Sequence, residues 1–130
     1  MSKKILVIDD DPGALKLVES ILTAKGYQVI TLNYPKHVIN IIKKENPDLV
    51  ILDIIMPYKD GYKVCEEIKG LFSNRIPVMV CTSQPYEKEF IKDAHKDFGA
   101  DDYLIKPFES KILLEKIDKL IKQKPPSQTQ

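Results

Sequence analysis

The sequence predicts an α/β protein built on a five-stranded parallel sheet that is doubly wound, with helices on both faces. Short segments rich in β-branched residues alternate five times with longer amphipathic segments, which indicates a (βα)5 repeat. Segments such as Leu49–Leu52 are apolar without alternation, as in parallel strands covered on both faces. At 130 residues the chain is long enough for one domain with a sizeable core.

The elements follow from these patterns in chain order. The predicted strands are Lys4–Ile8, Tyr27–Leu32, Leu49–Leu52, Val78–Thr82 and Asp102–Ile105. The predicted helices are Pro12–Lys25, Pro35–Glu45, Tyr62–Leu71, Glu87–Phe98 and Glu109–Lys122. The first helix has the clearest boundaries, because Asp11 can cap it, Pro12 suits the first helical position and Gly26 can end it. Right-handed crossovers between parallel strands then leave few ways to wind the sheet.

Composition excludes several classes of protein. The formal net charge of +1 gives no general attraction to nucleic acid or anionic membranes. No apolar stretch approaches the roughly 20 residues of a membrane span. The segment Met1–Lys4 lacks a signal-peptide pattern, so a cytoplasmic location is expected. Residues 1–123 are expected to form the domain, and residues 124–130 a flexible tail or the start of a linker.

Cysteine and histidine offer no metal site. Cys65 and Cys81 are not arranged as Cys-x-x-Cys, and we expect both to fill small apolar spaces in the core. His37 and His95 are isolated, and neither is expected to be a ligand.

Polar side chains follow the predicted strands at the edge where open α/β sheets bind ligands. Asp9 and Asp10 follow the first strand, Asp53 the third, Thr82 ends the fourth, and Lys106 follows the fifth. Carboxylates without His or Cys favour Mg²⁺ over zinc. A lysine and a hydroxyl can contact a phosphoryl group during transfer. A central aspartate can itself be the nucleophile, which would give an aspartyl phosphate.

Each feature also has a simpler explanation. Asp10 or Asp11 could merely cap a helix, and Thr82 could simply be a β-branched residue at the end of a strand. Lys106-Pro107 could be an ordinary turn, and Asp60-Gly61 is expected to be a turn that starts the third helix. The conjunction favours a site, because unrelated polar residues would be scattered over both ends of the sheet.

Four sequence blocks together resemble the receiver domain of two-component response regulators, from Lys3 to about Lys122. These blocks are Ile5–Pro12, Leu52–Pro57 with Asp60-Gly61, Pro77–Ser83 and Gly99–Phe108. The resemblance implies the flavodoxin-like strand order 2-1-3-4-5, with strands 1 and 3 adjacent at the switch point. It also implies a cis peptide bond between Lys106 and Pro107.

The resemblance assigns roles to the site residues. Asp53 would accept a phosphoryl group, with Thr82 and Lys106 contacting that group. Asp10, Asp53 and the backbone carbonyl of Ile55 would bind Mg²⁺ directly, with Mn²⁺ as a substitute, and Asp9 would bind through water. Tyr103 would turn inward when Thr82 moves, and the small residue Ser83 would fit beside the site.

The resemblance also implies partners. The donor would be a sensor histidine kinase or a histidine phosphotransfer protein. A downstream effector or output domain would bind the face formed by the fourth helix, fifth strand and fifth helix, and phosphorylation could drive homodimerisation. Direct contact with nucleic acid or membrane is not expected of this domain. The chain is either a stand-alone receiver or the receiver segment of a longer regulator.

The same residues are also compatible with two other classes of protein. One is a phosphohydrolase with an Asp nucleophile, but such enzymes commonly carry an acid two residues later, where this chain has Ile55. The other is a protein-binding module whose acidic cluster is idle, which should show no magnesium-linked change in stability. The receiver is expected to catalyse its own phosphorylation and dephosphorylation rather than turn over an external substrate.

Overall fold

The computed structural model describes residues 2–34, 36–56, 59–82 and 99–123. In chain order the elements are β1 (Lys4–Ile8), α1 (Pro12–Ala24), β2 (Gln28–Leu32), α2 (Val38–Glu45), β3 (Leu49–Asp53), β4 (Ile55–Met56), β5 (Lys59–Asp60), α3 (Gly61–Phe72), a 3-10 helix (Ser73–Arg75), β6 (Val78–Thr82), β7 (Asp102–Ile105) and α4 (Ser110–Gln123). In this part of the chain no helix has both the length and the apolar character needed to cross a bilayer.

Five strands form one parallel sheet in the order β2-β1-β3-β6-β7. Since β6 and β7 are its fourth and fifth strands along the chain, the predicted order 2-1-3-4-5 is confirmed. The strands β4 and β5 form a separate antiparallel pair, in which Ile55 lies opposite Asp60. The sequence patterns did not predict this pair.

Helices cover both faces of the sheet, as predicted. On one face, α2 and α3 pack over a buried cluster that includes Ile42, Val64 and Ile68. On the other, α1 and α4 pack over a cluster that includes Leu22 and Leu113. Every residue of β3 and β6 is buried, which explains why their sequences show no polar alternation.

The boundaries of α1 are those that the sequence predicts, to within one residue. The Asp11 side chain caps the helix and accepts a hydrogen bond of 2.9 Å from the Gly13 N–H, and Pro12 is the first helical residue. Gly26 has a φ of 92°, a conformation that favours glycine and that follows the end of the helix. This cap fixes the chain immediately after Asp9 and Asp10.

One predicted boundary and one predicted turn are wrong. The second helix begins at Val38 rather than Pro35, because His37 has a left-handed backbone with a φ of 67°. The third helix does start at Asp60-Gly61, as predicted, but without a turn there, since Asp60 ends β5 and Gly61 is the first residue of α3. The predicted helix Glu87–Phe98, together with His95, lies outside the described residues.

Candidate functional site

The register of the sheet brings Asp9 and Asp53 to the same level at its carboxyl edge. Ile8 pairs with Leu52, so the residues that follow them, Asp9 and Asp53, emerge side by side. Asp53 in turn pairs with Cys81 on the next strand. The predicted convergence of these strand ends therefore results from parallel pairing without any shift in register.

Three carboxylates meet at this edge. One oxygen from each of Asp9, Asp10 and Asp53 lies within 4.8 Å of the others. Asp9 and Asp53 are buried, whereas Asp10 is exposed. A group of carboxylate oxygens with one side open to solvent fits a hard divalent cation, which prefers oxygen ligands and retains some of its water. The acidic cluster can therefore bind a metal ion.

The Lys106 ammonium lies against the buried carboxylates. Its Nζ donates a hydrogen bond of 2.5 Å to Asp9 Oδ2 and lies 3.7 Å from Asp53 Oδ2. Burial by itself lowers the pKa of Lys106, but the hydrogen bond to Asp9 and the charges of Asp53 and Asp9 outweigh burial and raise it. The ammonium therefore stays charged at neutral pH and offsets part of the negative charge of the cluster.

Thr82 lies at the end of the adjacent strand and is almost completely buried. Its carbonyl accepts a hydrogen bond of 2.7 Å from the Lys106 N–H, and it pairs with Ile105 across the sheet. The strand end that carries the hydroxyl is thus bonded directly to the residue that carries the ammonium. The structure brings together the side chains of Asp9, Asp10, Asp53 and Lys106, and it places the fifth predicted residue, Thr82, at the neighbouring strand end.

Gly61 is a site residue that the sequence patterns assigned only to a turn. Its N–H donates a hydrogen bond of 3.1 Å to the Ile54 carbonyl. A Cβ at this position would lie 2.3 Å from the Ile54 Cα and 2.8 Å from the Asp53 carbonyl oxygen. Only glycine lets α3 approach the backbone that holds Asp53, so Gly61 fixes the peptide after the central carboxylate.

A profile of the response regulator receiver domain matches residues 5–118. The chain belongs to this family. As a family member it is a phosphoryl-accepting signalling domain, and the match includes every residue of the acidic cluster and Lys106.

Individual relatives agree with the family assignment. The receiver is 32% identical over 123 residues to the alkaline phosphatase synthesis transcriptional regulatory protein PhoP of Bacillus subtilis, which covers 95% of this chain and 50% of that protein. It spans about half the length of the curated relatives it matches.

The solved structures that are similar to the receiver include two receivers in activated or metal-bound form. The BeF3-activated N-terminal receiver domain of Klebsiella pneumoniae RstA aligns with a TM-score of 0.85 and 28% identity, covering 93% of this chain and 100% of that one. The response regulator TrrA of Thermotoga maritima, in complex with Mg²⁺-BeF, aligns with a TM-score of 0.79 and 31% identity. The alignment covers 91% of this chain and 98% of the TrrA chain.

The structure describes three further features that were predicted for the receiver. Ile55 begins β4, two residues after Asp53, so its carbonyl belongs to the backbone segment that follows the cluster. Tyr103 in β7 is half-buried and packs against the core cluster on the α2 and α3 face. The peptide bond between Lys106 and Pro107 is cis, as predicted. Pro57 and Ser83 lie outside the described residues.

Both cysteines are free and buried, as predicted. Burial raises the pKa of Cys65 to about 12, and it raises the pKa of Cys81 to about 12 as well. The thiolate is the reactive form, so folding should protect both groups. At neutral pH we expect a thiol-reactive probe to label the native protein about 100-fold more slowly, or slower still, than the protein unfolded in urea. Equal labelling rates in the two states would contradict the buried placement.

Proposed function

We propose that Asp53 accepts a phosphoryl group from the phosphohistidine of a sensor histidine kinase or a histidine phosphotransfer protein. The observation that carries this proposal is the position of Asp53, which is buried among two further carboxylates and lies 3.7 Å from the Lys106 ammonium. A carboxylate held next to both a cation-binding cluster and a fixed ammonium is suited to transfer of a charged phosphoryl group.

Mg²⁺ is the metal that the oxygen donors suit, with Mn²⁺ as a substitute. We assign Asp10, Asp53 and the Ile55 carbonyl as direct ligands and Asp9 as a ligand through water. When bound, the ion would neutralise the acids and shield the charge of the incoming phosphoryl group. The similar receiver TrrA of Thermotoga maritima was solved as a complex with Mg²⁺-BeF, which supports Mg²⁺ as the metal of this receiver.

The side chains then divide the chemistry among them. An Asp53 carboxylate oxygen forms a bond to phosphorus while the bond between phosphorus and the donor imidazole nitrogen breaks, and the imidazole leaves with that electron pair. Lys106 is positioned to compensate the charge that spreads over the phosphoryl oxygens, and the Thr82 hydroxyl can donate a hydrogen bond to one of them. Attack by water later releases phosphate and restores the Asp53 carboxylate, so the domain catalyses both reactions on itself.

We further propose that the signal leaves the domain through Tyr103. A shift of Thr82 toward the phosphoryl group would open space for the Tyr103 ring to turn inward, which would change the face that includes β7 and α4. An effector, an output domain or a second copy of the chain would bind that face. The regulator named PhoP supports a transcriptional output in a longer protein. We propose that the phosphoryl exchange takes place in the cytoplasm.

The test is phosphorylation of the purified protein by acetyl phosphate, followed by intact-mass measurement with millimolar Mg²⁺ or with EDTA. We expect a gain of one phosphoryl group with Mg²⁺ and none with EDTA. The absence of any gain with Mg²⁺ would refute the proposal and favour a module whose acidic cluster is idle.

We expect Lys106 to affect how fast phosphorylation occurs, and not which residue is phosphorylated. In Lys106→Met we expect acetyl phosphate to phosphorylate Asp53 about 100-fold more slowly, because a preorganised charge is lost from the site. Lys122→Met is the matched control, since Lys122 pairs only with Asp118 on the exposed side of α4 among the contacts that the structure describes. A wild-type rate in Lys106→Met would contradict the role of the ammonium.

A further inference from the structure

Lys116 on α4 makes two contacts with the start of β7. Its Nζ lies 5.1 Å from the centroid of the Tyr103 ring, within the range of a cation–π interaction. The same Nζ donates a hydrogen bond of 3.0 Å to Asp102 Oδ1. One ammonium therefore links the helix both to the strand and to the ring proposed to move.

Asp102 fixes where this ammonium lies. Its Oδ1 also accepts a hydrogen bond of 2.8 Å from the Tyr103 N–H, so a single carboxylate oxygen holds both the Tyr103 backbone and the Lys116 side chain. The side chains of Lys116 and Asp102 keep only 29% and 21% of their exposure, so solvent screens their interaction less than that of a fully exposed pair. This anchoring keeps the ammonium beside the ring without a contribution from the ring itself.

We expect the ring to lose this contact when it moves inward. Tyr103 pairs with Val80 and lies two residues before Ile105, which pairs with Thr82. A movement toward Thr82 would carry the half-buried ring along the sheet. Lys116, on α4, would stay anchored to Asp102 at the start of β7. The inward position therefore loses the cation–π interaction that the position described here retains.

We infer that Lys116 is a positioning residue that holds the Tyr103 ring in its half-buried position and so opposes the switch. This inference rests on the proposed function, because it requires Tyr103 to move when Asp53 is phosphorylated. A ligand that favours the inward position must overcome the Lys116 contact, and coupling of this kind is reciprocal. Neutralising Lys116 should therefore strengthen the binding of a phosphoryl analogue at Asp53, although the two sites share no contact among the described residues.

The expected size of the effect follows from the strength of such contacts. A partly exposed cation–π interaction corresponds to a factor of about two to five in an equilibrium constant. In Lys116→Met and Lys116→Gln we expect beryllofluoride, with Mg²⁺ present, to bind about two- to five-fold more tightly than to wild type. Lys116→Arg should bind as wild type does, because a guanidinium can keep both the ring contact and the pair with Asp102.

The measurement is a beryllofluoride titration followed by the NMR signals of ring-labelled tyrosine. The Tyr103 signal is the one that is absent from the spectrum of Tyr103→Leu. In ligand-free Lys116→Met, that signal should shift toward its beryllofluoride-bound position. Lys122→Met, on the same helix, should leave both the signal and the affinity unchanged. In the Tyr103→Leu background, Lys116→Met should no longer raise the affinity, which a purely structural role of the lysine would not predict.

The outcomes separate the two claims. If wild type does not bind beryllofluoride, the proposed function is refuted and the role of Lys116 falls with it. If wild type binds but Lys116→Met and Lys116→Gln bind no more tightly, only the role of Lys116 is refuted. An equal gain in affinity with and without Tyr103 would also overturn it, since the lysine would then act through another contact.

Discussion

Asp53→Ala is expected to remain unphosphorylated under conditions in which the wild-type receiver gains one phosphoryl group. The described structure places this carboxylate at the point where the acidic cluster and the Lys106 ammonium meet. Asp9 is engaged by Lys106 and by the Asp11 N–H, and Asp10 is exposed to solvent, so neither should replace it as the nucleophile. The measurement is the intact mass after incubation with acetyl phosphate and Mg²⁺.

The control for Asp53→Ala is Asp118→Ala, which removes an acid from the surface of α4. Asp118 pairs with Lys122 on the exposed side of α4 and is not among the carboxylates of the acidic cluster, so this variant should gain the same mass as wild type. Thermal melts of both variants establish that they are folded. Equal labelling of Asp53→Ala and wild type would show that the acceptor lies elsewhere.

Removing one charge from the acidic cluster is expected to stabilise the protein when no divalent cation is present. Three carboxylates with oxygens within 4.8 Å of one another are offset by one ammonium, Lys106, so the cluster retains net negative charge. Like charges at this distance repel one another, and partial burial weakens their screening. In EDTA, Asp10→Ala and Asp53→Asn should each melt about 4 °C above wild type.

Magnesium should reduce this difference in melting temperature. Wild type should gain stability with millimolar Mg²⁺ by mass action, whereas each variant lacks a proposed direct ligand and should respond less. Repulsion among the carboxylates lowers the stability of the metal-free protein, but the same charges are needed to bind the cation. Asp118→Ala should respond to Mg²⁺ as wild type does. If both cluster variants melt below wild type in EDTA, the acids serve as structural caps, and the metal site loses its main support.

The parts of the fold that the sequence predicts are those with a strong periodic signal. The sheet strands and α1 are long enough for burial and capping to mark them in the sequence, and their order followed from the family resemblance. The pair of β4 and β5 has two residues in each strand, too few for any alternation to be visible. The start of α2 depends on the left-handed backbone of His37, a residue type that carries no strong signal for it.

The functional residues likewise fall into those that the sequence predicts and those that it does not. Asp53, Thr82 and Lys106 were predictable because each lies at the end of an apolar strand, at the same edge of a parallel sheet. Gly61 and Lys116 were not, because their roles arise only after packing. The need for glycine at position 61 comes from the close approach of α3 to the Ile54 backbone, and the lysine meets Tyr103 only when α4 docks beside β7. A lysine in an amphipathic helix gives no sign of that contact in the sequence.

The most direct test of phosphoryl transfer to Asp53 is to locate the phosphoryl group in the wild-type chain. Borohydride reduction of an aspartyl phosphate converts that residue to homoserine, which peptide mass spectrometry can place in the sequence. After acetyl phosphate and Mg²⁺, we predict conversion at Asp53 alone, and no conversion when EDTA replaces Mg²⁺. Conversion at Asp9, Asp10 or any other acid, or equal conversion of Asp53 in EDTA, would contradict the proposed role of Asp53 and of the metal.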